Sequence, residues 1–280
     1  MPSEQKLQLF RLIPFFGILG TMAIFEMFYP RRRLVLSKSR RWVTNLGVVF
    51  IDSVIVRIFV PVSIFRVALW AESRGVGILN TIPHLSQTVK IVAAVVALDF
   101  IIYLQHVMFH AVPRLWRLHM VHHADLDYDV TTGLRFHPIE IVISAGIKIA
   151  SVTLIGAPAL AVFIFEIVLN GCAMFNHSNV SIPTSVDKIL RLFLVTPDMH
   201  RVHHSVIPNE TNSNFGFNLP YWDRLMGTYI AQPRGGHDQM KVGLSHLRSQ
   251  KVASLLWLMV APFYEHTGHY TINAKTDDRN

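Results

Sequence analysis

The sequence predicts an all-α integral membrane protein of about four to five transmembrane helices, two of them forming a helical hairpin, with a cytosolic histidine-rich cap. Three observations carry that prediction. The 280 residues are 51% hydrophobic and only 16% charged, whereas a soluble domain carries about 25% charged residues. Apolar runs long enough to cross a bilayer recur along the chain, each bounded by arginine, lysine, glycine or proline. The 15 histidines gather mostly at the ends of those runs. The single cysteine, Cys172, excludes a disulfide framework. The net charge of +8 would suit a nucleic-acid partner. The basic residues stand beside apolar spans, however, as juxtamembrane charge does, so no nucleic acid is expected.

Residues 9–30 are long enough to span a bilayer. No small-residue cleavage site precedes Arg31, so this run reads as a retained anchor. Residues 31–41 carry six Lys/Arg and no acid, which places this loop, and the histidines with it, in the cytoplasm. Residues 42–70 are apolar but interrupted by Asp52, Arg57, Pro61 and Arg66. They read either as one kinked span or as a partly interfacial pair of helices. His84 falls in a polar loop and reads as an ordinary loop histidine. Residues 88–110 form the next span. On it Asp99, Tyr103, His106 and His110 recur at spacings of 4, 3 and 4 and share one helix face. An acid on that stripe needs a partner. Asp99 is therefore read as a carboxylate that orients a histidine rather than one satisfied by a neighbouring helix, with Tyr103 beside it.

Residues 139–155 and 157–175 are joined at Gly156-Ala157-Pro158, a turn signal, and so form the hairpin. Lys148 and Glu166 lie nine residues on either side of Ala157. That places both about 13 Å from the turn at 1.5 Å per residue, where the two charges are expected to approach one another. From 180 to 250 the chain is more polar. Residues 252–264 are apolar but too short to span and are expected at the membrane interface. His237, His246, His266 and His269 have no shared spacing and are expected to be exposed. The whole reads as a single unit over residues 1–270 with its core at 88–230, followed by a polar tail at 271–280.

The chemistry lies in three histidine clusters. His106 and His110 are spaced i, i+4, and His119, His122 and His123 follow at i, i+3, i+4, a pattern repeated by His200, His203 and His204. Both spacings put imidazoles on one face of a helix. An isolated histidine is usually a satisfied core residue, and one such triplet serves a structural zinc equally well. Zinc takes four ligands, however, and these clusters offer eight, which argues for two metals. His137 and His177 stand where apolar spans meet the polar side and complete a set of ten. Ten would give five ligands per metal with a position left open for O2 or water. His137 serves equally to line a substrate entrance or to cap the helix that begins after Pro138. Imidazole suits zinc, copper, iron and nickel, so ligand type leaves the metal open.

The boxes His106-x-x-x-His110, His119-x-x-His122-His123 and His200-x-x-His203-His204, in that order and with an apolar hairpin before the third, resemble the fatty acid hydroxylase and sterol desaturase superfamily of membrane di-iron oxygenases. LRFHPIE, FNHSN and NFGFNLPYWDRLMGTY are similar to its accessory motifs. The resemblance covers about residues 40–230. It implies two iron ions and O2-dependent hydroxylation or desaturation of a lipid C–H bond. No cytochrome-b5-like segment, glycine-rich dinucleotide pattern or cysteine cluster is present, so the electrons are expected from a separate protein. Isolated material is expected to carry zinc, which nitrogen sites bind more tightly than ferrous iron. Three other readings use the same residues. They are a zinc-dependent membrane hydrolase or isomerase, a haem electron carrier, which would need histidines paired across helices, and a metal transporter, which would need ligands at mid-bilayer.

Overall fold

The computed structural model describes residues 4–272, so the polar tail expected at 271–280 lies outside the described residues except for its first two positions. Among these described residues thirteen α-helices follow in order: α1 (Glu4–Phe28), α2 (Lys38–Phe59), α3 (Ile64–Arg74), α4 (Gln87–Ala111), α5 (Pro113–His123), α6 (Pro138–Ile155), α7 (Ala159–Asn176), α8 (Thr184–Leu190), α9 (Pro197–His203), α10 (Pro208–Thr211), α11 (Tyr221–Leu225), α12 (Gly236–Gln239) and α13 (Leu255–Tyr264). No strand occurs among the described residues. The protein is all-helical and multi-pass, with five stretches long and apolar enough to cross a membrane: α1, the α2–α3 region, α4, α6 and α7.

Local sequence sets the boundaries. The side chains of Ser37, Ser63 and Ser86 cap α2, α3 and α4 by accepting from the N–H three residues on. Proline opens α5, α6 and α9, where its missing N–H costs nothing. The untidy region 42–70 resolves into a pair of helices broken at residues 60–63 around Pro61. The hairpin forms as expected. Gly156 ends α6 in the left-handed conformation at φ +69°, a region open to glycine at little cost.

The turn of the hairpin fixes one end of the molecule. A Cβ on Gly77 would lie 2.2 Å from the Gly156 nitrogen, so backbone packs on backbone there. Around this contact Ala68, Leu79, Ala94, Val152, Ala157 and Val162 form an apolar cluster that binds α3 and the start of α4 to the hairpin.

The opposite end collects the C-termini of α1, α4 and α7 and the N-termini of α2 and α6, tied by buried polar contacts. Glu26 accepts from the N–H groups of Val130 and Asn179 at 2.7 and 2.8 Å. Arg41 donates to Asp125 through Nε at 2.8 Å and Nη2 at 2.7 Å, and also reaches Asp129 and Thr132. Asp127 accepts from Val35 N and Leu36 N, both at 2.7 Å. The basic run 31–41 is therefore partly structural: Arg41 is fully buried, and Arg31 pairs with Asp198 and Asp238. Helix α13 buries Trp257, Leu258 and Ala261 against Val48, Trp116 and Met120 and leaves Leu256 and Phe263 exposed.

Candidate metal centre

Helix α4 ends in His106 and His110, α5 carries His119, His122 and His123, α7 stops at His177, and α9 brings His200 and His203 with His204 as its C-cap. All nine are buried. They sort into two groups. His106, His110, His119, His123 and His203 form one, and His122, His177, His200 and His204 the other, with the potential ligand nitrogens of each group within 4.8 Å of one another. The boxes interleave: each of the two triplets contributes to both groups.

The outer nitrogens decide which way each ring presents its lone pair. His106 Nδ1 stands 2.7 Å from Phe215 O, His203 Nδ1 2.7 Å from Ser213 O, His200 Nδ1 3.2 Å from Asn214 O and His177 Nδ1 2.7 Å from Ala173 O. A carbonyl only accepts, so each Nδ1 carries the proton and each Nε2 keeps its lone pair. His110 Nδ1 faces Asn212 Oδ1 at 3.1 Å, an orientation fixed because the Asn212 amide nitrogen donates to Tyr270 O. His119 Nδ1 meets Glu140 Oε1 at 2.7 Å. Six lone pairs are thus turned inward by partners in the protein.

Inside, they face one another. His106 Nε2 lies 3.1 Å from His119 Nε2, His110 Nε2 3.2 Å from His123 Nε2, and His177 Nε2 3.2 Å from both His122 Nε2 and His204 Nε2. With Glu140 ionised, His106 and His119 oppose two lone pairs with no hydrogen between them. The Nε2 atoms of His200 and His203 are buried without a hydrogen-bond partner among the described residues. A cation shared between such nitrogens resolves both features. Nitrogens about 2.1 Å from a common ion stand about 3.0–3.4 Å apart, the separations seen here. The residues therefore fit metal ions with a preference for nitrogen ligands.

Burial also keeps the rings neutral, the form that binds metal. Loss of hydration holds His119 and His177 down to about 3. Loss of hydration, then the neighbouring imidazoles, holds His122, His123, His200, His203 and His204 well below the usual histidine range.

The tenth histidine is not with the other nine. His137 caps α6, its Nδ1 accepting from Ile139 N at 3.2 Å and its Nε2 3.2 Å from Met259 O. Nor does Asp99 orient a histidine. Its Oδ2 accepts from Trp222 Nε1 at 2.7 Å and Leu219 N at 3.3 Å, while Tyr103 Oη lies 3.0 Å from Thr228 Oγ1. Both residues tie the 215–228 loop to α4. The carboxylate on a histidine is Glu140 of α6, missed because its position three residues after His137 reads as an ordinary first-turn acid. His84, His246, His266 and His269 are exposed, but His237 is buried, with Nε2 3.6 Å from Asp198.

The segment Asn212–Phe215 was also missed as part of the site. Four consecutive residues serve His110, His203, His200 and His106. Asn214 takes the left-handed conformation at φ +51° to do so. Asp223 accepts from Phe215 N and Gly216 N, both at 2.8 Å, and fixes the next two residues. Backbone acceptors leave no side-chain signature, and the accessory motif beginning at Asn214 reaches the segment without indicating that its carbonyls serve the histidines.

A cavity of about 560 Å³ opens on His106 and His119 and runs among α1, α2, α4, α6 and α7. Phe109, Phe136 and Phe217 line it beside these histidines. Lys148 and Glu166 both line it too, but do not pair as expected. Glu166 instead meets Arg11, Nη2 to Oε2 2.6 Å.

Residues 91–228 match the family model described as fatty acid hydroxylase. The ornithine lipid hydroxylase OlsE of Rhizobium tropici is 35% identical over 146 residues, 52% of this chain and 43% of that protein. Human alkylglycerol monooxygenase is 30% identical over 163 residues, 55% of this chain and 33% of that protein. Human cholesterol 25-hydroxylase is 26% identical over 133 residues, 46% of this chain and 47% of that protein. The matched segment thus covers less than half of each of these relatives. No solved structure matches. The family segment begins on α4 and ends at Thr228, enclosing all nine clustered histidines, Glu140 and the Asn212–Phe215 segment that orients them, and this segment of the chain is a fatty acid hydroxylase domain.

Proposed function

We propose that the chain is a membrane-bound, O2-dependent lipid hydroxylase that holds two iron ions. The observation that carries this reading is the convergence of nine buried imidazoles, in groups of five and four, at the end of a cavity within apolar spans. His106, His110, His119, His123 and His203 would hold one ion, and His122, His177, His200 and His204 the other. Bound iron supplies activation of O2, one atom of which enters a C–H bond while the other leaves as water, with two electrons and two protons from outside. The protein positions and shields. The partners at Nδ1 fix the tautomers, Glu140 strengthens His119 as a donor, and the phenylalanines hold a hydrocarbon against the site and keep water out.

The relatives' names, hydroxylase or monooxygenase, favour hydroxylation over desaturation. The basic 31–41 loop lies at the histidine end, which supports a cytoplasmic site and access for a separate electron-transfer protein. The zinc hydrolase and haem-carrier readings lack a matching relative among these.

The test is metal stoichiometry measured beside activity. After reconstitution with iron, the active protein should contain two ions per chain and oxidise lipid only with O2 and a reductant. One ion or fewer in active protein, or turnover without O2, sinks this reading. Lipid profiles of cells with and without an intact copy of the chain then give the substrate.

A further inference from the structure

The cavity that reaches His106 and His119 has a second, charged end. On α6, Glu140, Ser144 and Lys148 recur every four residues and all line it, so one face of the helix leads down its wall. Glu140 touches His119. Lys148 stands eight residues further on, about 12 Å along the axis at 1.5 Å per residue. On α7, Glu166 and Asn170 line the same space. Glu166 precedes His177 by eleven residues, about 16 Å. Two helices therefore independently place charged groups at a similar depth below the histidines.

The charges there do not balance. Arg11 and Glu166 form an ion pair at 2.6 Å. Lys148 makes no ion pair among the described residues, although Glu166 lines the same cavity. Arg11 Nε is buried and finds no acceptor among the described residues. The cavity's other acids are Asp52 and Glu140, and Glu140 is engaged by His119 at the histidine end. A cation left over within apolar spans is costly unless it has a partner or a function. Toward the histidines the cavity is lined by phenylalanine, and at this end by cationic donors.

We propose that the cavity takes an amphiphile with an anionic end group, which Lys148 and Arg11 hold while its hydrocarbon runs back to the histidines. This rests on the oxygenase reading and adds to it a substrate class and a ruler. The oxidised carbon lies about 12–16 Å from the anion. A neutral sterol or hydrocarbon would leave Lys148 without a counter-charge. A carboxylate and a lipid phosphate share the required chemistry.

The experiment reads binding rather than turnover. Full-length protein in detergent, with its metal content measured, is titrated with hexadecanoate, its methyl ester and a single-chain lipid phosphate, each displacing a fluorescent fatty acid. The wild type should bind at least one of the anions about ten- to hundredfold more tightly than the ester, the effect of one charge-assisted contact. Which anion is favoured identifies the source of the charge. Lys148→Met should abolish the preference and Lys148→Arg keep it, with metal content unchanged in both. Equal binding of ester and anions by the wild type overturns the proposal, and needs no variant that folds. A preference that survives Lys148→Met overturns it as well. If the anion preference holds but no lipid is oxidised, the oxygenase reading fails and the anion site stands.

Discussion

His119 Nδ1 lies 2.7 Å from Glu140 Oε1 across the α5–α6 boundary, with both side chains buried. The contact fixes the tautomer of a ring that belongs to the five-histidine group. Replacing such a partner weakens metal binding about 10- to 100-fold. Glu140→Ala should therefore lower the affinity of the five-histidine group by that factor and spare the four-histidine group. Glu140→Gln, which can still accept at Oε1, should lose less. Metal titration followed by dialysis against a graded chelator distinguishes the two groups, and equal losses from both would refute the assignment.

Asn214 makes a second test. Its amide nitrogen donates to Met199 O and Ile230 O, both at 2.8 Å, and its Oδ1 accepts from Ile230 N at 2.9 Å. Its left-handed backbone is one that asparagine tolerates better than most residues. Asn214→Ala loses the buried contacts and adds strain, an expected cost of about 2–4 kcal/mol. Asn214→Gly removes the strain and should recover about 1 kcal/mol of that. Chemical or thermal melts of the two variants should fall in that order. If Asn214→Ala melts with the wild type, the segment does not depend on this residue.

The sequence made much of this visible, and for identifiable reasons. Helical spacing announces imidazoles that share a face, so nine of the ten expected ligands are found in the two groups. The hairpin was legible because Gly156 and Pro158 set a turn between two predominantly apolar runs. What failed was inference about partners. Asp99 lies on the histidine stripe yet points to Trp222, because a helix face is shared by several neighbours and spacing does not say which. Lys148 and Glu166 have matching depth, but Arg11, from a helix distant in sequence, takes the acid. Nothing local in the sequence indicates that Asp125 and Asp129 are buried or that Arg41 packs between them.

That arrangement gives a third prediction. Arg41, Asp125 and Asp129 are all essentially fully buried. Arg41→Met leaves two buried carboxylates without their cation, a loss of about 3–5 kcal/mol. Adding Asp125→Asn and Asp129→Asn to Arg41→Met should restore part of it, because the stranded charges go too. The measurement is the yield of detergent-soluble monomer and its melting temperature. Additive losses in the triple variant would mean the three residues do not act as a unit.

The far end of the molecule should be separable from the metal centre. Gly77→Ala places a Cβ 2.2 Å from the Gly156 nitrogen, and Gly77 itself sits at φ +94°. Neither backbone can yield cheaply, so a loss of about 2–4 kcal/mol is expected from overpacking and strain together. The protein that still folds should bind the same amount of metal per chain. Loss of metal in proportion to loss of stability would show instead that the two ends unfold as one.

His137 and His203 give the sharpest contrast, since both are buried histidines near the same end of the membrane spans. His203 Nε2 has no hydrogen-bond partner among the described residues, and its Nδ1 is committed to Ser213 O. His137 uses both nitrogens on backbone groups, those of Ile139 and Met259. His203→Ala should therefore remove a ligand from the five-histidine group and abolish O2-dependent lipid oxidation while leaving membrane insertion intact. His137→Ala should keep the full metal complement and lose about 0.5–2 kcal/mol, the worth of a helix cap. His137→Asn should recover most of that, because asparagine is among the best N-cap residues. His84→Ala, at an exposed loop position, should change neither. The deciding readout is metal per chain after iron reconstitution. A full complement in His203→Ala, or the loss of an ion in His137→Ala, would mean that the two roles are assigned the wrong way round.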